Sequence, residues 1–198
     1  SWTDAEIKNA FLNGVRKDGK ALKPQMPAAY FHNMAEADAD AVVAYLKSLS
    51  PVEREITVTD EGRPEAPGTA YDLGNLPALT LDAEDANYAA ALRGQYIVGG
   101  IGVCIDCHTV RGDTGPVLSN SLLGGRAFGP PGARTPVSAN LTPHEHGIQG
   151  WTAAQVRTAL KLGTDEEDKN LCPPMPSGPM GPFANFTDED ALAIGHYL

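Results

Sequence analysis

Apolar positions recur at helical spacing in five separate stretches of the chain, and polar or Gly/Pro-rich sequence fills the space between them. Ile7, Ala10, Phe11 and Gly14 fall on one side of a short helix that Thr3 or Asp4 caps. A second helix is expected from about Ala35 to Leu49, with Ala41, Val42, Tyr45, Leu46 and Leu49 on one face and Pro51 as its stop. Asp82 to Gly99 reads as a third, capped near Asp82 or Asp85, in which Gly94 and Tyr96 are a small and large pair suited to a close helix crossing. A fourth runs from Thr152 to about Leu162, and the last starts near Thr187-Asp188, ahead of Ala191, Leu192, Ile194 and Tyr197. Between the second and third, Pro51 to Leu81 holds four prolines, three glycines and the β-branched run Ile56 to Thr59. That composition predicts an extended linker with one isolated strand rather than a packed unit.

Loops this long need something other than secondary structure to fill the core beneath them. With 21 glycines and 16 prolines in 198 residues, the need is general along the chain. Cys104-Ile105-Asp106-Cys107-His108 suggests what fills it. Two thiols so spaced, followed at once by an imidazole, are what covalent haem attachment requires: each sulfur adds to one vinyl group and the histidine takes an axial iron position. A haem is also a large apolar disc that lets a small, loop-rich domain bury enough surface to fold.

Other readings of the five residues stay open. A closed zinc site of three thiolates and one imidazole would need Cys172, whose spacing gives it no support. A thioredoxin-like dithiol would sit in a βαβ pattern, which the flanking sequence lacks.

The net charge of −10 and the absence of a basic stripe exclude phosphate-neutralising contacts with nucleic acid. An acidic surface suits a partner with a basic docking patch, and equally a secreted protein whose acidity has no specific meaning. No apolar run approaches a membrane span.

The chain also repeats itself. Trp2-Thr3, Ala5, Ala10, Gly14, Lys20, Leu22, Pro24 and Met26-Pro27 fall without a gap on Trp151-Thr152, Ala154, Ala159, Gly163, Lys169, Leu171, Pro173 and Met175-Pro176. After an insertion of three residues, Phe31, Asp38-Ala39, Ala41 and Tyr45-Leu46 match Phe183, Asp190-Ala191, Ala193 and Tyr197-Leu198. The first copy lacks its front half.

Cys104 to His108, Asn140-Leu141-Thr142-Pro143, Gly150-Trp151 and a Met-Pro before a terminal Thr-Asp-Glu-Asp helix together resemble class I c-type cytochromes. More narrowly, they are similar to the diheme and multiheme cytochrome subunits that accept electrons from periplasmic alcohol, aldehyde or sugar-acid dehydrogenases. The resemblance implies an all-α fold of short helices wrapped around a covalently bound haem c, with His108 proximal and a methionine distal. It implies a complete domain at 82–198, a linker at 51–81, and at 1–50 the rear half of a first domain whose haem-attachment half is absent. One haem is expected in this chain, and a second only where that missing front half exists, with Met26 as a ligand of that first haem. The implied function is periplasmic electron transfer from a dehydrogenase to a cytochrome or oxidase of a respiratory chain, with a membrane reached only through a partner or a missing segment. The alternative from another class is a haem oxidoreductase acting on a small sulfur compound or peroxide, which needs an open axial position. Because the chain opens at the point equivalent to Trp151 and stops at Tyr197-Leu198 before any helix terminator, it is expected to be a piece of a longer cytochrome.

The repeat selects the distal ligand. Met175 and Met180 compete, but Met26 and Met175 occupy equivalent positions and both precede proline, whereas Met180 lies in the inserted stretch. Met175 is therefore expected to ligate iron opposite His108, with Met180 the runner-up. Trp151, by the resemblance, donates to a haem propionate, and Arg126 is a second candidate for that role. His144 and His146 read as an exposed loop pair, His32 and His196 as surface or helix-face residues, and Cys172 as a small buried thiol.

Overall fold

Thr3 opens the first helix with a reciprocal cap: its hydroxyl accepts from the Glu6 N–H at 3.2 Å and the Glu6 carboxylate accepts from the Thr3 N–H at 2.7 Å. The computed structural model describes residues 2–57, 59–112, 115–130 and 135–198. Among them are seven α-helices: α1 (Asp4–Asn13), α2 (Ala28–Phe31), α3 (Glu36–Ser48), α4 (Tyr88–Tyr96), α5 (Cys104–His108), α6 (Ala153–Lys161) and α7 (Asp188–Tyr197). The only strands described are two-residue pieces, β1 (Arg111–Gly112) and β2 (Gly115–Pro116), paired antiparallel. The fold is all-α and cytochrome c-like: short helices separated by long ordered loops.

The chain divides into two compact units, Ser1–Asp72 and Leu73–Leu198. In the first, Phe11, Ala39 and Val43 form a small core on which Ile7, Leu12, Phe31, Met34 and Val42 pack. Residues 60–72 have no regular element, yet they are fixed to this unit. Arg63 Nη1 donates to the Ala21 carbonyl at 2.7 Å, the Tyr71 N–H donates to Ala29 at 2.7 Å, and the Tyr30 and Tyr71 rings meet at 5.7 Å. Free linker chain is confined to the exposed stretch before them. Ile56, expected in an isolated strand, is exposed and pairs with no strand among the described residues, and Val58 lies outside them.

In the second unit α7 is the hub. Gly94 of α4 crosses it so closely that a Cβ there would overlap the Ala193 carbonyl oxygen and lie 2.9 Å from Tyr197 Cβ. On the other side, a Cβ at Gly195 would lie 2.6 Å from Ala153 Cα of α6. Helix α4 begins later than Asp82 or Asp85, since the Asp85 carboxylate accepts from the Asn87 N–H at 2.7 Å and closes a separate turn first. It then widens into a π-helical turn, Ile97–Ile101, that buries Ile97 and Val98. A π-turn is an uncommon arrangement that recurs at functional sites.

The repeat is visible in the backbone. Thr152 and Gln155 reproduce the reciprocal cap of Thr3 and Glu6. Gly14 and Gly163 both end their helices at positive φ, 67° and 75°, and their carbonyls accept from Leu22 and Leu171 at 2.6 and 2.7 Å. The isolated bridges Val15 to Ala21 and Thr164 to Asn170 are also equivalent. Helices α3 and α7 then follow at matching places, with Ala39 and Ala191 both fully buried.

Candidate haem-binding site

Helix α5 is one turn long and holds little besides the candidate chemistry. Cys104, Cys107 and His108 stand at i, i+3 and i+4, so all three side chains leave the turn within one face. Its entry is strained: Val103, a β-branched residue, takes φ 53°, ψ 28°, a left-handed conformation that costs about 1–2 kcal/mol. Strain of that kind persists where the surroundings over-determine it, which is common at functional sites.

His108 is buried, and its Nδ1 lies 2.8 Å from the Ala139 carbonyl oxygen. A carbonyl can only accept, so Nδ1 carries the proton and Nε2 carries the lone pair. Burial also holds the imidazolium form down, pushing the His108 pKa below its usual value. A neutral ring with a free Nε2 and an anchored Nδ1–H is the state in which histidine ligates a metal. The anchor depends on Gly124, at φ 71°, because a Cβ there would meet Ala139 C and Ser138 O at 2.5 Å. The Gly124 N–H also donates to the His108 carbonyl at 2.8 Å, so one loop fixes both ends of the residue.

The thiols are kept protonated. Burial pushes Cys104 up to about 12, and burial followed by the Asp106 charge raises Cys107. Closed zinc sites use thiolates, and the third sulfur such a site would need, Cys172, is exposed rather than buried as the sequence suggested. The difference has a local cause: Cys172 sits on a loop beside Pro173 and Pro174, which are exposed too. Two neutral thiols and one neutral, oriented imidazole on a single helical face fit a haem c. They would hold it by two thioether bonds and one axial nitrogen.

Arg126 is placed by the protein itself. Its Nη1 donates to the Asp106 carbonyl oxygen at 2.5 Å and to Asp106 Oδ2 at 2.8 Å, and the guanidinium lies over the Phe128 ring at 4.9 Å. Arg111 Nη1 donates to Asp106 Oδ1 at 2.5 Å. Asp106, one of the two spacer residues between the cysteines, thus pins α5 to two separate loops. No sequence pattern singles out Asp106, nor Ala139, whose only contribution is a backbone oxygen.

Met175 is half-buried, with its N–H donating to Cys172 O at 3.2 Å, while Met180 is fully exposed and Met26 is 38% exposed. Trp151 is half-buried and its backbone N–H donates to Ile148. Among the described residues, no hydrogen bond or ion pair ties Trp151, Met26, Met175 or Met180 to the α5 cluster. His144 and His146 are exposed, their rings 5.4 Å apart. No three His, Cys, Asp or Glu side chains among the described residues gather to hold an ion.

No family model matches the chain. Among curated proteins it is 29% identical, over its whole length, to the cytochrome c subunit of the quinone alcohol dehydrogenase of Gluconacetobacter polyoxogenes, of which it covers 44%. The chain resembles dehydrogenase cytochrome c subunits. Similarity extends to a nicotinate dehydrogenase subunit of Pseudomonas putida, at 29% over the whole chain and 16% of that protein. A diheme cytochrome c-type protein of Cereibacter sphaeroides is 26% identical over the whole chain and 65% of its own length. The chain thus spans less than two thirds of each of these relatives.

Proposed function

We propose that the chain is an electron-transfer module carrying haem c on Cys104 and Cys107, part of a periplasmic relay from a dehydrogenase to a respiratory acceptor. The observation that carries this reading is the geometry of α5: two protonated thiols and a neutral imidazole on one face, with Nε2 left free by the Nδ1–H bond to Ala139. When bound, the haem supplies one-electron exchange between Fe(III) and Fe(II). Cys104 and Cys107 would keep it from leaving, and His108 Nε2 would be its nitrogen ligand. Met175 would be the second ligand, a choice supported by its half-buried place in the repeat and by the exposure of Met180. Two ligands from the chain would leave oxygen and peroxide no open site.

Residues 82–198 are the complete cytochrome domain and 1–50 the rear half of a further domain, in which Met26 is the counterpart of Met175; of the 51–81 between them, residues 60–72 bond back onto the first unit. The relatives' names support a donor that oxidises a small polar substrate: alcohol, gluconate and fructose dehydrogenases are among them. Among the described residues no helix is long and apolar enough to cross a membrane, so a partner or another segment would place the chain at one.

Acid-acetone extraction of the protein, matured where haem is attached covalently, tests the reading. The red colour is expected to stay with the chain. Colour that leaves with the solvent overturns it.

A further inference from the structure

The loop that anchors His108 has an outer side as well as an inner one. Residues 125–128 and 136–138 run antiparallel and are bridged at Ala127 and Val137. The Phe128 N–H donates to the Pro136 carbonyl at 3.0 Å, and the Ser138 N–H donates to Arg126 at 2.9 Å. Opposed residues share a face, and so do residues two apart on one pass, which puts Ala127, Val137 and Ala139 on one side. That side meets solvent: Ala127 and Ala139 are exposed, and Val137 is 60% exposed. Arg126 and Ser138, on the other side, are half-buried. Leu123, 46% exposed, precedes the Gly124 that packs against Ala139, and it extends the outer patch. None of these outward residues is charged, in a chain of net charge −10. The Ala139 carbonyl is also the acceptor of the His108 Nδ1–H at 2.8 Å. A residue at the surface is thus one hydrogen bond from the candidate iron ligand.

We propose that this face, made by Leu123, Ala127, Val137 and Ala139, is where a redox protein with an apolar, uncharged contact patch docks, so that electrons cross by way of Ala139 and His108. The proposal rests on the reading of the chain as a haem c electron-transfer module, and it names the surface that module uses. A charged partner patch would lose its hydration here and meet no opposite charge, which disfavours it. A second copy is disfavoured as well, because association would bring one net charge of −10 against another. An apolar patch on a different protein meets neither penalty. One electron crosses between the partner's cofactor and iron, so one is oxidised as the other is reduced. No bond is exchanged, and His108 Nδ1 keeps its proton.

The test places a photo-crosslinking benzophenone side chain at Val137 of the matured protein, irradiates it in its native host and identifies the captured protein by mass. A protein with a redox cofactor of its own is expected. Electron exchange between that protein, once purified, and the chain is then followed at the haem absorbance, relative to reduction by ascorbate, which needs no docking. Val137→Lys and Val137→Glu are both expected to slow the exchange by on the order of tenfold or more, because either charge is left unpaired against an apolar patch. Leu92→Lys, at an apolar residue of α4 that is 43% exposed, is expected to leave it unchanged. The proposal is overturned if nothing is captured, or if the captured protein is a second copy or holds no redox cofactor. It is equally overturned if the two charges at position 137 act in opposite directions, or if Leu92→Lys slows exchange as much. Capture at position 137 is read without reference to colour, so loss of colour on extraction and loss of capture report on separate claims.

Discussion

Met175 and Met180 stand five positions apart in one loop, and their exposures give them different tasks. A thioether that ligates iron has to be held near it before ligation, or the ordering of its side chain is lost from the bond. Met175 is half-buried and its backbone is fixed by the Cys172 carbonyl, whereas Met180 is fully exposed. Met175→Ala is therefore expected to abolish the far-red sulfur-to-iron band and to lower the potential by on the order of a tenth of a volt, a part of the roughly 0.8 V that axial ligation spans. Met180→Ala should keep both. Visible spectroscopy and a redox titration of the two variants check this, and the reverse result would move the ligand to Met180. The meeting of Cys104, Cys107 and His108 on one face was legible in the sequence because their i, i+3, i+4 spacing brings them together on a single helical turn. The roles of Asp106 and Ala139 were not, because each contact joins α5 to a loop, Asp106 to Arg126 and the His108 ring to Ala139, whose return path no local pattern encodes. Cys172 misled for a related reason: thiols are usually buried, and only the course of the proline loop exposes this one.

Helices carry the strongest local signals, and caps set them more sharply than apolar periodicity does. Thr3 and Thr187 cap where the sequence places them, each hydroxyl accepting from the N–H three residues on. Helix α4 shows the limit. Asp82 and Asp85 look like caps, but both carbonyls and the Asp85 carboxylate are spent on turns, and the helix starts only after Asn87. The π-turn that follows is not visible in the sequence at all, since a π-turn uses the same residue types as an α-helix and is selected by packing, here of Gly99 against Leu73 and Leu76. The crossing at Gly94 was legible as a small residue beside a large one, and it is where an element-scale test is sharpest. A methyl group at Gly94 would overlap the Ala193 carbonyl, which is backbone and cannot rotate away. Gly94→Ala is expected to destabilise the protein by about 1–3 kcal/mol despite the better helix propensity of alanine. Gly68→Ala, with open space around its Cβ and no positive φ, should be neutral or stabilising by about 0.4–1 kcal/mol. Denaturant midpoints of the two variants check the pair, and equal effects would mean that α4 does not cross α7 at Gly94.

At the scale of the whole molecule, the repeat preserves backbone and lets surface diverge. Arg16-Lys17-Asp18-Gly19 and Asp165-Glu166-Glu167-Asp168 occupy the same loop, with Gly19 and Asp168 both at positive φ, 80° and 59°. One copy is largely basic there and the other wholly acidic, which is why the resemblance shows in glycines, prolines and aromatic residues rather than in charge. The division of the chain has the same character. Composition marked Pro51 to Leu81 as irregular, but it could not tell that residues 60–72 bond back onto the first unit through Arg63 and Tyr71, because those contacts join positions far apart in sequence. Proteolysis separates what is merely irregular from what is unfixed, since cleavage requires backbone that can open at little cost. Leu49 to Thr57 is exposed throughout and lies in no helix or strand, and it contains Glu53 and Glu55. Limited digestion with a glutamate-specific protease is therefore expected to cut first at these two residues, giving a fragment that starts at Arg54 or Ile56 and retains every covalently bound haem. The smaller fragment should not stain, because it contains no cysteine. A first cut after Glu61 or Glu65 would mean that the Arg63 and Tyr71 contacts do not hold residues 60–72 in place, and haem stain on the N-terminal fragment would overturn the assignment of the cofactor to Cys104 and Cys107.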